Sequence, residues 1–187
     1  MELFPEYQPQ ATRLRPVLKS LADRGTYFGT SSNTNLTGSN WGSSLFELGA
    51  GNDSVTGGSG SNTIEYSSSV AHATINVTGA SGITNELDFG ASTSVQSLWF
   101  EQHGNDLQID VLGTSSQVTI ANWYEATAHQ LQEITADGYQ LDSEISGLVS
   151  AMATYAANNP AFDPASASQL PSDAALQAEI QSAWHHA

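Results

Sequence analysis

Residues 39–65 read SNWGSSLFE LGAGNDSVT GGSGSNTIE, three consecutive units of nine residues. Each unit has a small residue in its fourth column, a short polar side chain in its sixth and a large apolar one in its eighth. The sixth column holds Ser44, Asp53 and Asn62, and the eighth holds Phe46, Val55 and Ile64. A unit this short cannot bury its apolar side chain alone, so the pattern predicts stacked coils that share one core.

The residue types in these columns indicate what the turns can do. Glycines allow tight turns in which backbone carbonyl oxygens point toward a common centre. The carboxylate of Asp53 is a hard oxygen ligand of the kind that Ca²⁺ prefers. Each unit is expected to form one turn and one short strand, with the eighth-column side chain pointing inward. Turns on the same side of the coil are then two units, or 18 residues, apart.

This arrangement resembles the nonapeptide GGxGxDxUx of the haemolysin-type (RTX) calcium-binding repeat, which builds a parallel β-roll. The third unit matches it with Gly57, Gly58 and Gly60, followed by Asn62 and Ile64. The resemblance implies a mainly β protein with a short parallel β-roll and Ca²⁺ as its cofactor.

The 18-residue spacing also predicts which side chains meet. It places Asp53 opposite a turn that offers Asn33 and Asn35, while Gly49 and Gly51 lie in its own turn. On the other side it places Asn62 over Ser44, a pair without a carboxylate. Calcium affinity follows the number of charged ligands, so we expect at most one calcium ion, near Asp53. A degenerate roll that binds no metal is the alternative.

Residues 70–142 alternate between apolar and polar side chains, which predicts strands throughout. The part from Ser97 to Asp142 is similar to the domain that follows the repeats in many RTX proteins. The match covers about 45 residues and includes Leu98-Trp99-Phe100, Asn122-Trp123-Tyr124 and Asp137-Gly138. The other interpretation is an unrelated β-meander with tryptophan in its core.

Two helices are predicted at the C-terminal end. The first has its apolar side chains at helical spacing, and the second begins after the N-cap Asp173. The apolar positions are Ile145, Leu148, Val149, Met152 and Tyr155 in the first helix, and Leu176, Ile180, Ala183 and Trp184 in the second. This layout resembles the C-terminal ends of type I secretion substrates, which implies export by the type I secretion machinery. A helical hairpin that caps the solenoid is an alternative compatible with it.

Residues 10–24 predict a short amphipathic arm with a helix that begins near Arg15, with Pro16 in its first turn. The arm carries all four Lys and Arg residues of the chain, Arg13, Arg15, Lys19 and Arg24. We therefore divide the chain into four segments. They are an N-terminal arm (1–27), a degenerate β-roll (28–78), a β-rich flanking domain (79–142) and a helical secretion or capping segment (143–187).

The composition excludes several classes of protein. The 187 residues include 4 Lys plus Arg against 19 Asp plus Glu, for a formal net charge of −15, and no cysteine. Such a chain lacks the cations that neutralise nucleic-acid phosphates, and it has neither disulfides nor a thiolate nucleophile.

No apolar stretch reaches membrane-spanning length, so no transmembrane segment is expected. The N-terminus shows no secretory signal peptide, which indicates a cytoplasmic protein or export by a route that does not read the N-terminus, and the repeats favour export.

The sequence contains no catalytic motif: the five histidines form no metal-ligand pair, and neither a G-x-S-x-G elbow nor a P-loop occurs. We therefore expect no enzymatic activity, and instead a secreted, calcium-binding RTX-type module. This module would act as a surface, matrix or adhesin component that self-associates through the basic arm. The first alternative is the C-terminal module of a larger RTX lipase, protease or haemolysin. The second is a carbohydrate-binding β-domain that uses Trp99, Trp123 and Tyr124 as stacking platforms, which requires exposed rings.

Overall fold

The structure is a computed structural model that describes residues 25–141 and 144–187. These residues form a mainly β fold with two α-helices. The strands are β1 Gly25–Phe28, β2 Asn35–Thr37, β3 Ser44–Glu47, β4 Asn52–Thr56, β5 Asn62–Glu65, β6 His72–Asn76, β7 Asn85–Asp88, β8 Leu98–His103, β9 Asp106–Val111, β10 Gln117–Ile120, β11 Glu133–Ala136, β12 Tyr139–Leu141 and β13 His185–His186. The helices are α1 Ile145–Asn158 and α2 Ala174–Ala183.

Consecutive strands from β1 to β7 alternate between two sheets, so the chain winds as a parallel β-solenoid of about three coils. Sheet A has the order β1-β3-β5-β7-β11-β12-β13, and sheet B has the order β2-β4-β6-β10-β9-β8. All pairs among the first seven strands are parallel. This confirms the prediction of stacked coils that share one core.

The side chains of the nonapeptide units alternate as the repeat predicts. Phe46, Val55 and Ile64 are fully buried between the two sheets. The sixth-column side chains lie two positions earlier on each strand and therefore point inward too, because side chains alternate between faces with a period of two. The interior of the solenoid thus has an apolar centre and a polar corner near the start of β3, β4 and β5.

The coil length differs from coil to coil. In sheet A, Ser44 pairs with Asn62 at the predicted spacing of 18 residues. In sheet B, however, Asn35 pairs with Ser54, a spacing of 19 residues. The predicted register is therefore correct between β3 and β5 and wrong by one residue between β2 and β4.

The two sheets continue beyond the nonapeptide units. Strand β10 pairs in parallel with β6, and β11 pairs in parallel with β7. Between β7 and β10 the chain forms the antiparallel β8–β9 hairpin, which extends sheet B at its end. One cluster of buried apolar residues runs from Leu36 to Trp184, so no break in the core separates the β-roll from the β-rich segment that follows it.

The C-terminal helices match their predicted apolar faces. Ile145, Leu148, Val149 and Met152 are buried on α1, and Leu176 and Ile180 are buried on α2. The side chain of Asp173 caps α2 by accepting a hydrogen bond of 2.9 Å from the backbone N–H of Leu176. Helix α1 covers the edge strand β8, where the Phe100 N–H donates to the Met152 sulfur at 3.0 Å. No helix in the described part of the chain is long and apolar enough to cross a bilayer.

The predicted N-terminal helix and the four cations of the arm fall in residues 1–24, which lie outside the described residues. From the sequence, Asp142 or Ser143 can also N-cap the first C-terminal helix, and both lie outside the described residues.

Candidate functional site

Asp53 is the centre of the predicted metal site, and its side chain is 3% exposed at the corner between two stacked turns. Its Oδ2 accepts a hydrogen bond of 2.8 Å from the Gly49 N–H in its own turn. Its Oδ1 accepts one of 3.0 Å from the Thr34 N–H in the preceding coil. The carboxylate therefore joins two coils and satisfies one backbone donor from each.

The asparagines predicted beside Asp53 do not surround its carboxylate. Asn35 lies on β2 with an exposed side chain, because its neighbour Leu36 points into the core and adjacent side chains in a strand face opposite ways. The residue that meets Asp53 is Thr34, through its backbone. Asn33 is exposed, and its Oδ1 accepts a hydrogen bond of 3.0 Å from the Asn52 N–H. The predicted cluster of Asp53, Asn33 and Asn35 is thus not assembled.

Gly49 and Gly51 are required by the close approach of neighbouring coils. A Cβ on Gly49 would overlap the Thr30 carbonyl oxygen, and one on Gly51 would overlap the backbone of Ser32. The Ala50 N–H donates to the Thr30 oxygen at 2.9 Å, which holds the two turns together. These glycines serve the stacking of turns, whether or not a cation is bound.

The corner of sheet A carries Ser44 and Asn62 in register, as predicted, and both side chains are buried. The Oγ of Ser44 accepts a hydrogen bond of 3.0 Å from the Ser39 N–H. Asn62 Oδ1 accepts one of 2.9 Å from the Gly58 N–H. In all three units the sixth-column side chain thus accepts a hydrogen bond from a backbone N–H four or five residues earlier.

The two corners differ in how well they fit a calcium ion. A carboxylate has about four acceptor positions, and Asp53 uses two of them for the hydrogen bonds described above, so the Asp53 turn retains oxygen positions that suit Ca²⁺. The Asn62 turn has no carboxylate, and its side-chain Nδ2 lies 2.9 Å from the Gly60 oxygen, so it does not fit. No group of three histidine or acidic side chains in metal-binding proximity occurs within the described ranges.

Sequence reasoning missed a cleft between β8 and α1. It is lined by Glu101, Gln102, Tyr124 and residues of α1. The Tyr124 hydroxyl has no hydrogen-bond partner, and burial raises the pKa of Tyr124. The Glu101 carboxylate is shared between Trp99 Nε1 at 2.6 Å and His103 Nε2 at 3.1 Å. The cleft combines β8, Tyr124 and α1, which are separate segments of the chain, so the sequence offers no local signal for it.

The tryptophans proposed as sugar platforms lie in the core. Trp99 is fully buried, with its ring centroid 4.5 Å from that of Phe162, and Trp123 is only 4% exposed. Neither ring offers a free face for stacking on a sugar, which weighs against the carbohydrate-binding alternative.

A scan against protein-family models finds no match to the chain.

Proposed function

We propose that this chain is a non-catalytic β-roll module of the RTX type that is exported by type I secretion and acts outside the cell. The support is the combination of nonapeptide units, parallel coils and an acidic body in which no Lys or Arg follows Arg24. Such a body cannot neutralise its own charge, so cations from solution favour its compact state. Millimolar extracellular calcium is a suitable source of them.

Within this proposal, Asp53 is the residue that holds the calcium ion. The observation that carries the assignment is the burial of its carboxylate between two turns, with both oxygens oriented by backbone N–H groups. A cation there would offset a buried negative charge and join the two coils more strongly. A ligand that binds only the folded state raises stability as its concentration exceeds the dissociation constant.

The test is a set of thermal melts followed by circular dichroism in EDTA, in millimolar CaCl₂ and in millimolar MgCl₂. We expect calcium, and not magnesium, to raise the melting temperature of the wild type. Asp53→Asn keeps an oxygen for one of the two N–H groups and removes the charge, so it should abolish most of the calcium response. Asp137→Asn is the matched control, because it removes the same charge from an exposed turn.

Two results would count against the calcium site. If the wild type melts at the same temperature in EDTA and in calcium, Asp53 does not hold a calcium ion, although the β-roll remains. If Asp53→Asn and Asp137→Asn reduce the response equally, calcium acts by screening the overall charge.

We also propose that the basic N-terminal arm, with Arg13, Arg15, Lys19 and Arg24, binds the acidic surface of a second copy. The support is charge complementarity, since these are the only cations of the chain. Size-exclusion chromatography should then show an oligomer at low salt that dissociates at high salt. A monomer under both conditions contradicts this part of the proposal.

A further inference from the structure

The corner of sheet A contains a column of inward polar side chains in successive coils. Ser44 on β3, Asn62 on β5 and Asn85 on β7 are aligned by the strand register, and all three are buried. In the RTX nonapeptide the sixth column holds an aspartate, and Ser44 and Asn62 occupy that column. The column in sheet A therefore has neutral side chains where the RTX pattern has carboxylates.

Three oxygen atoms surround the amide nitrogen of Asn62. Its Nδ2 lies 2.7 Å from Asn85 Oδ1, 2.9 Å from the Gly60 carbonyl oxygen and 3.4 Å from the Gly58 carbonyl oxygen. Carbonyl and amide oxygens from two adjacent turns that converge on one point are the donor set of a hard cation. Here the point is filled by an N–H₂ group, which is itself a donor to oxygen.

The oxygen atom of the same amide forms a hydrogen bond within its own turn. Asn62 Oδ1 accepts the Gly58 N–H at 2.9 Å, so one side chain satisfies both a backbone donor and backbone acceptors. The column continues at the next coil, where the Asn85 N–H donates to Gln132 Oε1 at 2.7 Å. A calcium ion could enter this turn only by displacing the amide of Asn62, which would leave buried groups without partners.

We infer that the Asn62 amide takes the place of a calcium ion in the corner of sheet A. This half of the solenoid therefore folds without calcium. Of the two corners, only the Asp53 corner of sheet B then remains as a calcium site. The inference rests on the proposed relationship to RTX repeats, because that relationship identifies this corner as a calcium position. It does not depend on calcium binding at Asp53.

The decisive variant is Asn62→Asp, studied on the Asp53→Asn background so that the Asp53 corner does not contribute. At mildly alkaline pH the new carboxylate faces the three oxygens and can donate to none of them. We expect the melting temperature in EDTA to fall by at least about 5 °C, which corresponds to the loss of roughly two buried hydrogen bonds in a chain of this size. Millimolar calcium should recover a large part of that loss, because the turn would then hold a cation.

Asn76→Asp is the matched control on the same background, since Asn76 is exposed on β6. It should change the melting temperature little and should gain no calcium response. The inference is overturned if Asn62→Asp is no less stable in EDTA than Asn76→Asp. It is also overturned if calcium does not raise the melting temperature of Asn62→Asp, or raises that of Asn76→Asp by the same amount.

If Asn62→Asp does not fold, hydrogen exchange on the wild type decides the question. The Gly58 amide is buried and bonded to Asn62 Oδ1, so it should already be protected from exchange in EDTA, as it is in calcium. Protection that appears only with calcium overturns the inference. The failure of the Asp53 proposal looks different, since it leaves the wild type with no calcium response while Gly58 stays protected.

Discussion

At the scale of single residues, Asp110 on β9 is a carboxylate whose burial has an electrostatic cost. Burial raises the pKa of Asp110 above its usual value of 3.8, and the nearby Glu101 raises it further. Hydrogen bonds to its carboxylate from Gln117 Nε2 at 3.0 Å and from Gln108 Nε2 at 3.1 Å act in the opposite direction and compensate only in part. The folded protein therefore binds a proton at Asp110 more tightly than the unfolded chain does.

This raised pKa predicts the pH dependence of one variant. Because the native state binds the proton more tightly, the free energy of unfolding falls as the pH rises from below 3.8 through the raised pKa. Asp110→Asn has no charge to bury, so it should be more stable than the wild type at neutral pH, with an advantage that disappears in acid. Urea unfolding of both proteins across a series of pH values measures the difference. An advantage that stays constant with pH would show that burial of the charge is not its cause.

The residues around Asp53 show how far the sequence could predict the candidate site. The repeat correctly predicted that the eighth-column side chains point inward, and Asp53 and Asn62 share that face because they lie two positions earlier on the same strands. It placed Asn35 beside Asp53 because the units were counted as equal, whereas the coil between β2 and β4 is one residue longer. Leu36 indicates the correct register, because its apolar side chain must face the core. The adjacent Asn35 then faces outward.

At the scale of elements, the strands of sheet A stack like charges on their outer face. Glu47, Glu65 and Asp88 are direct neighbours on β3, β5 and β7. Adjacent strands are about 4.8 Å apart, and like charges directly opposite each other are destabilising. In the described part of the chain no Lys or Arg is available to offset this repulsion.

Glu65 has an acidic neighbour on both sides, so Glu65→Gln should stabilise the protein. We expect a gain of about 0.5 kcal/mol at low ionic strength, from the removal of two repulsive pairs. The gain should fade near 1 M salt, where the screening length is only about 3 Å. Glu125→Gln removes a charge from an exposed turn and is the control for overall charge. Equal gains from both variants would contradict a local effect of the stacked row.

The elements beyond the repeats were only partly predictable. The alternation of apolar and polar residues identified the strands, and the helical spacing of apolar residues identified both C-terminal helices. The pairing of β10 with β6 was not predictable, because the β8–β9 hairpin separates these strands and no repeat marks the return of the chain to the solenoid. Parallel pairing over such a distance is decided by which sheet edge remains open, and a sequence pattern does not record that.

At the scale of the whole molecule, the C-terminal segment connects both sheets. Trp184 is 6% exposed, and its ring centroid lies 6.3 Å from that of Phe100 on the edge strand of sheet B. Directly after it, His185 pairs with Gln140 in sheet A. The last residues of the chain are therefore part of the fold, and they close the end of the solenoid opposite to its first coil.

The position of Trp184 leads to a prediction about how the chain unfolds. Trp184→Ala should cost about 3 kcal/mol or more, the usual loss for a buried tryptophan. Trp41→Ala is the matched control, since Trp41 is 92% exposed in the first repeat unit and should cost little. Because a single core cluster runs from Leu36 to Trp184, Trp184→Ala should reduce the hydrogen-exchange protection of amides in β3 and β5 as well as in β12. If each coil were coupled only to its direct neighbours, the loss of hydrogen-exchange protection would instead stay near the C-terminus. That result would show that residues 28–78 form a separate folding unit, as the sequence division implies, and that the continuous core does not make the chain unfold as one.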